Sequence, residues 1–174
     1  MATATDETAG GAVRRTIRVN APAARAFNVF THEFDSWWPR THHIGKSKLK
    51  RAVIEERVGG RCYSEQVDDV DCDWGTILAW EPPRRLVFAW QINADWTYQP
   101  DLAQSSEVEV TFTQGPDGFT DVVLEHRNFE RHGPAGGVVR ANVSAEGGWG
   151  MLLQRYAAEA DGRPAAGVPR EGRA

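Results

Sequence analysis

Trp74-Gly-Thr-Ile-Leu-Ala-Trp80-Glu-Pro-Pro-Arg-Arg85-Leu-Val-Phe-Ala-Trp-Gln-Ile92 holds two apolar, aromatic-rich runs on either side of Pro82-Pro83. Proline has no N–H to give a sheet ladder, so the pair marks a connection between strands rather than the middle of one. The pattern repeats on both sides. Upstream, Val53 to Val58 and Arg61 to Val67 flank Gly59-Gly60, a two-residue signal for a tight hairpin. Downstream, Glu107 to Thr113 and Phe119 to Asn128 flank Gly115-Pro-Asp-Gly118, another turn. Six consecutive antiparallel strands are predicted.

Working outward, Val13 to Asn20 reads as one more strand with a wet face, although Thr16 breaks the strict alternation. Asn20-Ala-Pro22 then opens a helix carrying Ala26, Phe27, Phe30 and Phe34 at helical spacing, which should stop before Trp37-Trp38-Pro39 because the residue preceding proline avoids the α region. An irregular segment, residues 40–50, follows. At the other end Trp149, Leu152, Leu153, Tyr156 and Ala160 form the apolar stripe of a long helix expected from Ser144 or Ala145 to about Ala160. The order β, α, six β, α describes an α+β fold: a curved seven-stranded antiparallel sheet gripped by a C-terminal helix. A sheet that curls against a helix can leave a hollow between them.

Length and composition agree. The 174 residues suit one domain, placed at 13–161, with residues 1–12 and 162–174 read as tails on composition. A formal charge of −4 argues against a nucleic-acid binder, and no apolar run reaches the roughly 18 residues of a membrane span. Without the apolar core of a signal peptide in residues 1–12, a cytoplasmic protein is expected, with Cys62 and Cys72 as thiols rather than a disulfide. Seven Trp and seven Phe must line either a dense core or a cavity wall.

Several stretches carry a family resemblance: Ile17-Arg-Val-Asn-Ala-Pro-Ala-Ala-Arg-Ala-Phe27, Gly59-Gly-Arg61, Trp74 to Trp90, Glu107-Val-Glu-Val-Thr-Phe112, Leu124-Glu-His-Arg127 and Gly147-Gly-Trp149. Together they resemble the START-like, or SRPBCC, superfamily with its helix-grip fold, in the branch named for the activator of Hsp90 ATPase. The resemblance implies a stand-alone domain that binds a small hydrophobic or amphipathic molecule between sheet and helix. Its alternatives are a protein-interaction domain partnering an Hsp90-type chaperone, and a cyclase-like or dehydratase-like enzyme with His126 or Glu125 as base. The open edges of such a sheet offer a route to a homodimer.

No motif calls for a cofactor or a metal. Asp69, Asp71 and Asp73 alternate as in a calcium loop, but Trp74 and Trp80 occupy the positions that need Gly and Glu. His32-Glu33 lacks the second His of a zincin, and the serines lack a nucleophile elbow. Gly147-Gly-Trp-Gly150 lacks dinucleotide-loop spacing, so its glycines either admit the helix close to the sheet or leave room for a ligand. Strand alternation sends Val122, Leu124 and His126 inward, which makes His126 the expected polar anchor of a pocket, with Glu130-Arg-His132 at its mouth. His43, in the irregular segment after the Trp pair, stands second. Aromatic walls are expected from Phe30, Trp37, Trp38, Phe88, Trp90, Phe112 and Trp149.

Overall fold

A computed structural model of the chain describes residues 5–7 and 11–162. Seven strands form in the expected order: β2 (Val13–Val19), β3 (Leu49–Ile54), β4 (Arg61–Gln66), β5 (Asp71–Glu81), β6 (Arg85–Trp90), β7 (Ser106–Gln114) and β8 (Thr120–Arg127), but β3 lies earlier than the expected Val53–Val58, so residues 55–60 join it to β4 in place of a two-residue Gly59-Gly60 turn. A short strand β1 (Thr5–Glu7) pairs antiparallel with β2, so part of the stretch read as an N-terminal tail adds an eighth strand at the edge. The sheet order is β1-β2-β8-β7-β6-β5-β4-β3, antiparallel throughout.

Register shifts between β3 and β4, β4 and β5, and β5 and β6 put bulges along one half of the sheet. Each bulge adds twist, and together they bend that half toward the helices. On β2 the inward face is Val13, Arg15, Ile17 and Val19, so the alternation is strict once Arg15 is counted as buried. On β8 it is Thr120, Val122, Leu124 and His126, as the period of two requires. The outward face carries ion pairs, with Arg127 reaching Glu107, Glu109 and Glu125. The Cys62 thiol is buried and the Cys72 thiol half-buried, and both are free.

Helix α1 (Ala23–Phe30) buries Ala26, Phe27, Val29 and Phe30, and a separate turn, α2 (Phe34–Trp37), follows it, so the single helix expected to carry Phe34 and stop before Trp37 is broken in two and takes in Trp37. The backbone turns extended at Trp38, before Pro39, as proline demands. The C-terminal helix is not one rod. Helix α3 (Gly136–Ser144) precedes α4 (Trp149–Ala160), so the predicted start at Ser144 or Ala145 falls at the end of another helix. The break lies at Gly147-Gly148. A Cβ on Gly148 would stand 2.1 Å from the Val143 carbonyl oxygen, so only glycine lets the chain double back this closely. Among the described residues no helix is long and apolar enough to cross a membrane.

Candidate functional site

The break between α3 and α4 leaves a hollow. A cavity of about 350 Å³ opens there, at the small end of the ~300–1,000 Å³ typical of small-molecule sites. Its floor is sheet: Trp74 from β5 and Trp90 from β6, with Ile92 just beyond. Its roof comes from Val143 of α3, Gly147 and Gly148 of the break, and Trp149 and Leu152 of α4. The irregular segment supplies Trp38, Thr41, His42, His43 and Ile44. Asn142 and Trp96 complete the rim.

Four indoles dominate the wall, each no more than 6% exposed. Trp38 lies parallel to Trp74, with centroids 5.9 Å apart and planes 2° from parallel, while Trp90 stands edge-on to Trp149 at 5.6 Å. The Trp38 indole N–H donates to the His42 carbonyl (2.7 Å), which holds its ring in place.

The polar groups are few. His42 Nε2 faces the Gly147 carbonyl at 2.8 Å, so it must be the protonated nitrogen; Nδ1 then accepts from the Thr41 hydroxyl (3.0 Å). Both its nitrogens are engaged. His43 differs: its Nδ1 is buried with no hydrogen-bond partner among the described residues. That nitrogen is packed against protein, and what His43 brings to the apolar pocket is the rest of its ring, which stands on the lining.

Of the residues expected to bind, Trp38, His43, Trp90 and Trp149 line this cavity. The rest stand elsewhere. Phe30, Trp37 and Phe112 pack with Tyr156 and Phe27 in the filled half of the core, and Phe88 lies behind Trp74 and Trp149. His126 is fully buried behind the wall. An indole N–H can only donate, so the 3.1 Å contact from Trp149 Nε1 makes His126 Nδ1 the acceptor and puts its proton on Nε2. That proton goes to Ser106 Oγ (2.8 Å), whose hydroxyl in turn donates to His132 Nε2 (2.8 Å). The direction of this chain is forced from one end to the other. Both imidazoles are neutral in it, and burial, reinforced by the neighbouring His132, pushes the His126 pKa well below the usual value; burial also lowers that of His132. His126 therefore fixes the rotation of Trp149 from behind. Glu125 faces outward against Arg14 and Arg127, away from the cavity.

Trp74, His42 and Trp96 are wall residues that the sequence reading did not single out. Trp74 was legible as an inward aromatic of β5; the others sit in loops, where no period points. Among the described residues no group of three or more His, Cys, Asp or Glu could hold a metal.

Comparison with known proteins agrees with this architecture. The family model described as activator of Hsp90 ATPase homolog 1-like protein matches residues 20–160. Similar solved structures include an anthrahydroquino-gamma-pyrone synthase, Txn09, complexed with SUM: 35% identity over 84% of this chain and 94% of that one, TM-score 0.59. The self-sacrificing resistance protein CalC from Micromonospora echinospora is 26% identical over 87% of this chain and 94% of its own, TM-score 0.62. CalU16 from the same organism, at 20% identity, 98% and 86% coverage and TM-score 0.52, shows the fold alone. No curated protein matches.

Proposed function

The chain belongs to the activator of Hsp90 ATPase homolog 1-like family, and we propose that it binds a small, flat, mainly apolar molecule in the hollow between sheet and α4. The observation that carries this is the combination of four buried indoles around an open volume with the His43 ring on its lining. Indole faces reward a planar ring system with offset or edge-to-face contacts. His43 offers its edge one hydrogen bond, which suits a phenol or a carbonyl. The match is thus to an amphipathic aromatic rather than to a fatty chain.

A second reading has its own support. The 35% identity to a pyrone synthase favours turnover of the bound molecule. His43, the lining imidazole whose nitrogens are not both engaged as those of His42 are, would then be the proton acceptor. Calorimetric titration with 1,8-dihydroxyanthraquinone tests the binding reading, and chromatography of the recovered probe tests turnover. Saturable binding in the micromolar range is expected. A chain that ignores planar probes but binds the middle domain of an Hsp90-type chaperone would overturn the cavity reading in favour of a protein partner.

A further inference from the structure

After β6 the chain makes a tight turn in which the Asn93 carbonyl accepts from the Trp96 N–H (2.9 Å) and the Thr97 carbonyl accepts from the Asn93 N–H (2.8 Å). Short hairpin turns of this kind end on a residue in the left-handed region, where glycine is the ordinary choice. Here that residue is Trp96, at φ +64°. Among the described residues the other non-glycine residues with positive φ are Asp69 and Asn128, whose short polar side chains tolerate it. A tryptophan does not belong there on local grounds.

Nor is it kept for packing. Trp96 is 52% exposed, whereas the other four indoles of the cavity wall are 6% or less. It nevertheless lines the cavity, at its rim. The turn that holds it is fastened: the Thr97 hydroxyl donates to Asp95, Asn93 Nδ2 donates to Thr97 Oγ1, and Asn142 Nδ2 of α3 donates to the Ala94 carbonyl. A strained backbone, held firmly so that a large apolar side chain stands half in solvent at the mouth of an aromatic pocket, is built to meet something that comes out of that pocket.

We infer that Trp96 is a specificity-determining residue that stacks on the part of the ligand projecting beyond the four buried indoles, and so selects fused systems of three or more rings over smaller ones. The inference rests on the cavity reading above and adds the size class of the ligand. Its test sets stability against affinity, which a merely structural residue would move together. The variants are Trp96→Gly and Trp96→Phe, and the probes are 1,8-dihydroxyanthraquinone and the two-ring 2-naphthol, titrated by calorimetry beside thermal unfolding of each protein.

Trp96→Gly relieves the left-handed backbone, so its melting temperature should hold or rise, while its affinity for the three-ring probe falls roughly ten-fold, the loss of one aromatic face. Its affinity for 2-naphthol should stay unchanged, and Trp96→Phe should keep most of the three-ring affinity. Undiminished binding of the anthraquinone by Trp96→Gly overturns the inference while leaving the cavity reading intact. So does a parallel loss of stability and of affinity for both probes. A wild-type protein that binds neither probe removes the cavity reading, and this inference falls with it.

Discussion

The two halves of the space between sheet and helix are built from the same kind of residue and end up opposite in character. In the half under α1, Phe27, Phe30, Trp37, Phe112 and Tyr156 meet edge to face or tilted at 5.2–6.0 Å, and the polar handles of Trp37 and Tyr156 are used: Trp37 Nε1 donates to the Val29 carbonyl and the Tyr156 hydroxyl to that of Ala26. In the half under the α3–α4 break, Trp38, Trp74, Trp90 and Trp149 surround open volume, and His43 Nδ1 is left without a partner. Phe34 is the seam, edge-on to Trp37 on one side and stacked on Trp38 on the other. Aromatic content does not separate the halves. What does is the helix above: α4 lays Leu153 and Tyr156 over the first half, whereas over the second the chain gives way to Gly147-Gly148.

If that contrast is right, removing a ring should hurt most where the rings are closed. Trp37→Ala should cost about 3–5 kcal/mol, the usual range for a large aromatic in a filled core. Trp74→Ala, beside space already empty, should cost less, because it forfeits fewer contacts. Urea unfolding of both variants compares them directly, and equal losses would erase the distinction.

The next largest effect concerns the back of the cavity wall. His126→Leu leaves the Trp149 N–H without its acceptor and the Ser106 hydroxyl without the N–H it accepts from, at a cost of about 1–3 kcal/mol measured by the same unfolding assay. Had His126 been the polar anchor, stability would hold and affinity alone would fall.

The same chain sets a pH dependence. Both imidazoles are neutral when folded, with pKa values held below the unfolded value of about 6.5, so the unfolded chain takes up protons first as the pH falls. Stability should be flat above pH 7 and drop below about 6.5, by up to about 1.4 kcal/mol per pH unit for each histidine. Glu65, lowered chiefly by Lys50, and Asp68, lowered chiefly by Ser47, titrate below that window. Unfolding of His126→Leu between pH 7.5 and 5.5 should show a shallower slope than the wild type.

The smallest effect on stability is expected inside the hollow. His43→Phe removes an unpartnered nitrogen and should shift stability by no more than about 0.5 kcal/mol. It should weaken 1,8-dihydroxyanthraquinone, but not unsubstituted anthracene, by about 1 kcal/mol in calorimetry.

How far the sequence revealed this arrangement follows from what periodicity measures. The strand order was legible because proline and glycine punctuate it, though Gly59-Gly60 marks only the end of the loop 55–60, and the inward face of β8 because alternation has a period of two. Alternation fixes which side a residue faces and says nothing of depth: His126 points inward as expected, yet Trp149 stands between it and the cavity. Helix α3 went unread, and the helix of the Trp149 stripe was started early at Ser144 or Ala145, because the close approach of Gly148 to the Val143 carbonyl exists only in the folded chain. Trp96 and His42 were invisible for a different reason. Turn residues have no period, and their roles depend on contacts made across the fold, such as the one from His42 to Gly147.

The central claim, that one half is a receptive cavity and the other a closed core, is tested most directly by the indole N–H resonances of the seven tryptophans. In a nitrogen-15-labelled sample titrated with 1,8-dihydroxyanthraquinone, the signals of Trp38, Trp74, Trp90, Trp96 and Trp149 should shift together and saturate, while those of Trp37 and Trp80 stay where they are. Shifts spread evenly over all seven, or none in the five, would contradict the account.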